Sequence, residues 1–450
     1  MSNAYGGLDF LTATMKEIQA RGEVASFVNR SCKFLKALGD GDAQETNSRG
    51  AWFAAEVEPN PSNRAFGEGG AYAFFNTAQD VRMRVFFRRW SRGRGFTRDE
   101  LATMKSQASM GNNKKFSQVV KAETQDLCVE ANRQLWGDGS SIVAVVNSAG
   151  GSVVTGAAGT ANFGGTNSQL GSYDILRRGR YNFVSSAGVL RNGGGNAVAV
   201  VTSKNPATQV VTFDQVPTDV VGGDYLVYED SWMQGLHGVP YHVNNDTGLY
   251  QGTSRALYPY LRSPIQDAAV ASVPQPLSIA LMDNLRAQSL YVYGEDDDAT
   301  ADPMRWQWWM SPTQEIAYIR LVDPFQRVIK DATAGTLDLG YKINGKGAKH
   351  SAQPFNVDRH HPDNRIDGLV LSTFKKFYAP DGKPGFIEDA NGNYLRDVPG
   401  FSSAGVGTWL DLTGFYMGWR MDVGCLDPHA NGAIINLSTA GLPNRKLAQI

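Results

Sequence analysis

The segment from Arg49 to Gly139 constrains the fold of this 450-residue chain more than any other. Residues Trp52 to Trp90 read as an extended two-stranded arm, and Thr97 to Trp136 as a helical stretch ended by Gly137-Asp138-Gly139. Ala51–Glu58 and Val81–Trp90 alternate as strands do, around a tip rich in Pro, Gly and Asn. Seven arginines and no lysine lie between Arg82 and Arg98. On the second strand Arg82, Arg84, Phe86, Arg88 and Trp90 share one face, and Met83, Val85, Phe87 and Arg89 the other. Neither face is cleanly apolar. An arm of this length has too little of its own chain nearby to bury both faces, so it is more easily understood as surface for a neighbouring copy. Arginine and aromatic side chains are what buried protein interfaces enrich. The candidate intersubunit residues are Trp52, Glu56, Glu58, Arg82, Arg84, Arg88, Arg89 and Trp90.

A nucleic-acid stripe is the competing reading of the same arginines. Charge weighs against it: 43 basic and 44 acidic residues nearly cancel, where a nucleic-acid specialist is usually basic overall. The three cysteines, Cys32, Cys128 and Cys425, lie far apart, which fits a reducing compartment better than a disulfide framework. The N-terminus has no basic region followed by an apolar run, and no apolar run reaches the roughly 18 residues of a membrane span. A soluble, cytoplasmic chain without membrane partners is expected.

The other elements follow from periodicity. Residues 8–38 read as helical, with Leu8, Leu11, Met15 and Ile18 on one stripe. After a break at Arg21-Gly22 come Phe27, Phe34, Leu35 and Leu38 on another, and then a polar linker over 39–50 that leaves this leading segment free to act as an arm. Thr97 and Glu100 form a capping box, and Gly111-Asn112-Asn113 interrupts the helix. Its second piece carries Phe116, Val120, Leu127, Ala131 and Leu135 on one stripe, spanning about 35 Å with one side against a sheet. Residues 150–231 turn Gly-, Ser- and Thr-rich, with short strands near 181–184, 197–203, 209–214 and 223–228 that suggest a small β barrel or insertion. Leu277–Leu290 and about 313–322 read as helices, 415–423 as a strand, and Ala433–Leu437 as an apolar stretch. The fold class is α+β.

No motif supports catalysis. Gly340–Gly347 misses a phosphate-binding loop because Gly347 stands where Ser or Thr should hold magnesium. Ser254 and Ser402 complete no nucleophile elbow. His350, Asp358, His360, His361 and Asp363 have metal-ligand chemistry without metal-ligand spacing, so a solvated loop is expected. Glu388–Asn393 reads as a polar turn and Glu295–Asp298 as a solvated acidic loop. No catalytic residue, metal ligand or cofactor is assigned, and the chain is not expected to be an enzyme.

In element order and short signatures the chain resembles the major capsid proteins of tailed bacteriophages, the Hong Kong-type shell fold shared with encapsulins. Trp136-Gly137-Asp138-Gly139-Ser140 resembles the turn that follows that family's spine helix. Gly235-Leu236-His237-Gly238 with Thr247–Arg255 resembles a connector of several phage capsid proteins, and Met421–Ala430 leading to Ile434–Leu437 resembles the strand returning to the peripheral domain. The resemblance implies an N-terminal arm at 1–48, an extended loop at 49–96 and a peripheral domain with spine helix at 97–150. It further implies a β-rich insertion at 151–234, an axial domain with peripheral segments at 235–410, and the return strand at 411–450.

The implied function is self-assembly, as pentamers and hexamers, into an icosahedral head around non-specifically bound double-stranded DNA. The implied location is the virion, assembled in the host bacterial cytoplasm, with scaffolding, portal and cement proteins as further partners. Some members weld their shells through a lysine in the extended loop. Here no lysine lies between Lys36 and Lys105, so a noncovalent shell is expected. The arm starts almost at Met1, which implies a separate scaffolding protein or none. Two other readings stay open: an encapsulin-type compartment, and a β-rich carbohydrate-active or carbohydrate-binding protein.

Overall fold

The structure, a computed structural model, describes residues 3–24, 33–41, 45–58, 79–96, 99–100, 102–104, 114–147, 153–156, 158–163, 171–195, 197–205, 208–293, 306–330, 349–350, 353–388, 394–398 and 412–442. The tip of the arm, Gly340–Gly347, Ser402, Glu295–Asp298 and Asp389–Asn393 lie outside the described residues. Internal contacts divide the chain into two units: Met1–Phe53 with Arg84–Arg133 and Lys376–Val423, and Ala54–Met83 with Gln134–Lys375 and Gly424–Ile450. The architecture is α+β in both.

The first unit is organised by one long strand, Leu412–Cys425. It pairs with Phe374–Tyr378, Gly385–Phe386, Leu395–Val398 and Arg88–Phe96, and Gly39–Asp40 extends the sheet beyond Phe374–Tyr378. The helix Lys114–Leu135 runs 22 residues, about 33 Å at 1.5 Å per residue. Phe116, Val120, Leu127, Ala131 and Leu135 are all buried, as their spacing requires. Phe116 and Phe96 both meet Phe415 of the long strand, with ring centroids 6.4 and 5.6 Å apart. The helix thus seals one face of the sheet.

The leading segment is less free than its polar linker suggests. A helix runs from Asn3 to Ala20, and Gly22 takes a positive φ of 62° at the expected break. Past it, Phe34 and Leu35 are buried. Lys376 Nζ donates to the Leu35 carbonyl at 3.3 Å and lies 3.4 Å from Asp40, while Gly41 N–H donates to the Lys376 carbonyl at 2.8 Å. Residues 33–41 are therefore laid onto the sheet of their own chain. Phe34, Leu35 and Leu38 are all buried there, and composition alone does not reveal that.

In the second unit the four strands expected between 181 and 228 are present as Arg180–Val184, Val198–Asn205, Val210–Phe213 and Tyr225–Tyr228. Ile142–Val145 and Gly159–Asn162 complete a six-stranded sheet as its outermost members. A bridge between Val146 and Phe163, with Asn147 N–H donating to Asn162 C=O at 2.8 Å, joins those two edges. The sheet closes on itself as a small barrel, which removes exposed edges. Its interior is filled by alternating inward residues, among them Val143, Tyr181, Phe183, Val201, Val211, Phe213 and Leu226.

The same unit holds a second six-stranded sheet, in the order Ile265–Asp267, Gly432–Ile435, Ile366–Val370, Trp306–Met310, Gln353–Val357, Lys349–His350. Trp306–Met310 is buried along its whole length, as expected of a central strand covered on both faces. Met282 and Leu285 from the helix Ile279–Tyr293, and Tyr318 and Val322 from the helix Pro312–Lys330, share its apolar core. That second helix outruns the expected 313–322. Gly368 is required where it stands: a Cβ there would lie 1.9 Å from Cζ2 of Trp306.

Candidate assembly surface

The base of the arm is built from a turn outward. Asn47 Oδ1 accepts from the backbone N–H of Arg49 and Gly50, at 2.8 and 2.9 Å, which sets the entry into the strand Gly50–Glu58. That strand lies beside Gln79–Phe86 in a three-stranded sheet with Glu45–Thr46. A Cβ at Gly50 would come within 2.5 Å of the Val85 carbonyl, so the close approach needs glycine.

Alternation then sorts the faces. Phe53, Ala55, Met83 and Val85 are buried, and Phe53 stacks on Phe377 at 5.4 Å. The other face carries Trp52 and Arg84 half-buried, with Arg82 and Phe86 exposed. The Arg84 guanidinium sits 4.5 Å from the Trp52 ring centroid and 4.3 Å from that of Phe86. This cation–π stack holds a long, entropically costly side chain in one place on an open face. Positions 56 and 58 continue the parity of Trp52 along the strand, while their side chains lie outside the described ones.

Val81–Trp90 is not a single strand with two mixed faces. The strand Gln79–Phe86 has a clean apolar face in Met83 and Val85, and after Phe87 a second strand, Arg88–Phe96, joins the other sheet. There Arg88, Arg89 and Trp90 stand opposite Met421, Arg420 and Trp419, with the two indoles stacked at 6.3 Å. Arg89 is exposed, and Arg88 and Trp90 are half-buried.

The arginine run is consequently divided in its tasks. Arg92 Nε donates to Glu123 at 2.8 Å and its NH2 to Asp126 at 2.6 Å, while Arg94 lies 3.9 Å from Glu123. These two fasten the strand to the long helix of the same chain. Glu123 and Asp126, three apart in sequence, share the helix face that receives Arg92. Arg82, Arg84 and Arg89 remain on the surface. Beside Arg89 opens a cavity of about 780 Å3 whose walls include Trp90, Lys383, Phe386, Tyr394 and Arg420. Burial and a hydrogen bond to Glu388 push the Tyr394 hydroxyl up to about 12, so it stays protonated as a donor.

The histidine cluster also departs from expectation. Asp358, His360, His361 and Asp363 are buried, not solvated. His361 Nε2 bonds Asp367 Oδ2 at 2.9 Å, Arg365 Nε donates to Asp367 Oδ1 at 2.8 Å, and the Trp136 ring lies 4.5 Å from that of His361. This is a charge network inside a core. Among the described residues, no group of three or more His, Cys, Asp or Glu side chains is arranged to hold a metal ion.

No family model matches the sequence, and no curated protein matches it. Among solved structures the chain is similar to one in the cyanophage A-1(L) capsid asymmetric unit, at 14% identity and a TM-score of 0.48, over 90% of this chain and 93% of that one. It is similar also to the capsid of the native GTA particle, at 10% identity and a TM-score of 0.42, over 91% of each chain. A shorter match, 46% of this chain and 59% of the other at 12% identity and a TM-score of 0.26, is to the holo-SrpI encapsulin of Synechococcus elongatus PCC 7942. Each TM-score is below 0.5.

Proposed function

We propose that this chain is the major capsid protein of a bacteriophage head, assembling as pentamers and hexamers into an icosahedral shell around double-stranded DNA. The observation that supports it best is the Trp52–Arg84–Phe86 stack: a rigid aromatic and guanidinium face on an arm whose opposite face the chain itself buries. Such residues supply most of the energy in protein interfaces when a partner covers them. Repeated head-to-tail contacts of this kind close into rings and shells. No helix among the described residues is long and apolar enough to cross a membrane.

Negative-stain microscopy of the purified chain tests the reading. Closed particles of uniform size are the expected result, and a monomer by sedimentation at every concentration overturns it. The arginine surface is tested by Arg84→Glu on the arm together with Arg89→Glu on the strand that follows it. Both side chains project from the sheet surface, so the far-ultraviolet circular dichroism should stay that of the folded chain while particle yield falls at least tenfold. Particles formed at the unaltered yield would remove these arginines from the interface.

A further inference from the structure

The two faces of the long-strand sheet in the first unit treat their arginines differently. Phe415, Met417, Trp419 and Met421 are buried on the side that Phe116 of the long helix meets, and there Arg92 and Arg94 find Glu123 and Asp126. Alternation turns Gly418 and Arg420 to the opposite side. Register sets Arg420 directly across from Arg89, and Gly418 across from Ser91 on one edge and from Gly385 on the other. Directly opposed residues share a face with their Cβ atoms about 5 Å apart, and like charges so placed repel. No carboxylate among the described residues neutralises this arginine pair. Arg420 donates to the uncharged Ser48 carbonyl at 2.7 Å, its Nε is buried without an acceptor, and Arg89 is exposed with no partner.

Arg89, Ser91, Gly418 and Arg420 line the cavity of about 780 Å3, and Lys383, exposed and also without a partner among the described residues, stands in the same wall. Every lining residue belongs to the first unit. Three cations thus converge on one concave space. Its volume falls in the range of small-molecule sites, roughly 300–1,000 Å3, and far exceeds the ~30 Å3 share of one water, so a bare ion does not fill it. Asp381 and Glu388 share the wall, and Glu388 already accepts from the Tyr394 hydroxyl. These carboxylates repel a continuous polyanion, yet they can accept hydrogen bonds from the hydroxyl or amino groups of a ligand whose charge sits at one end.

We propose that this cavity binds a small phosphate monoester, with Arg89, Lys383 and Arg420 around its phosphate. Such a group brings a charge of about −1.5 to −2 near neutral pH and three acceptor oxygens, which suits a cluster of cations better than one carboxylate does. The site is built within a single chain and stands apart from the shell reading. Calorimetric titration of the purified full chain at constant ionic strength tests it, with adenosine 5′-monophosphate as the probe and adenosine, inorganic phosphate and a short DNA duplex as comparators. The monophosphate should bind one per chain, inorganic phosphate more weakly, and adenosine not measurably. Arg89→Gln plus Lys383→Gln should weaken the monophosphate by about tenfold or more, as for the loss of a charge-assisted hydrogen bond. Without ligand, the unfolding midpoint of this variant should equal or exceed that of the unaltered chain, because a like-charge pair has been removed. Arg84→Gln, outside the cavity, should bind as the unaltered chain does. Failure of the monophosphate to bind, equal binding of adenosine, or unweakened binding by the double variant overturns the site. DNA bound in preference to the monophosphate, and lost in the double variant, overturns the monoester and makes this a polyanion surface.

Discussion

Replacing Asp367 by alanine is expected to destabilise the second unit by about 3–5 kcal/mol, the range for removing one partner of a buried ion pair. Its carboxylate is fully buried and bound by both His361 and Arg365. Arg365 also reaches the Val243 carbonyl at 2.8 Å, so the network ties the strand Ile366–Val370 to the segment after the barrel. Without Asp367 the half-buried guanidinium loses its counter-charge and the shielded imidazole loses its acceptor. Chemical denaturation monitored by tryptophan fluorescence reads the loss, because Trp136 lies against His361. Burial pushes the Asp367 carboxyl up, but the charge of Arg365 and the hydrogen bond from His361 outweigh it and leave the pKa below the ordinary value. A depressed carboxylate contributes its full stabilisation above the unfolded-state pKa, about 4, and loses it as pH falls through the lower folded value. The stability gap between the natural chain and Asp367→Ala should thus hold between pH 7 and 5 and narrow only below about pH 4. A gap that closes already near pH 6 would mean that the ionised Asp367 carboxylate is not the source of the stabilisation.

That network marks the boundary of what the sequence makes legible. The helix Lys114–Leu135 is readable because five apolar residues at helical spacing state both its length and its buried face. The barrel strands are readable because turn residues bracket short alternating runs. Burial of a polar cluster has no such local signature. Asp358, His360, His361 and Asp363 have the composition of a loop in water, and only distant elements such as Trp136 enclose them. The arm shows the same division. Alternation puts Arg82 and Arg84 on one face, but the Arg84 stack depends on strand register across the hairpin, which no local pattern encodes. Nor did the run of arginines disclose that Arg92 and Arg94 reach Glu123 on the long helix. Periodicity reports which face is inside, whereas pairing partners are set by contacts remote in sequence.

Trp308→Ala should have a comparable effect, about 3–5 kcal/mol, by a different mechanism: a large cavity in a core that cannot collapse around it. Trp308 is fully buried, stands opposite Gly368 on one side and Phe355 on the other, and meets Trp306 edge-on at 4.5 Å. The neighbours have little freedom to fill the space. Trp306 is confined by the backbone at Gly368, and the strand is held by ladders on both sides. Hydrogen exchange locates the damage. Protection should fall across Trp306–Met310, Gln353–Val357 and Ile366–Val370, which share that sheet, and persist in the strands Arg88–Phe96 and Leu412–Cys425 of the other sheet. Loss of protection spread evenly over all five strands would mean that the two sheets unfold as one cooperative body. A loss confined to the second unit would mean that its core can fail while the long-strand sheet of the first unit stays folded.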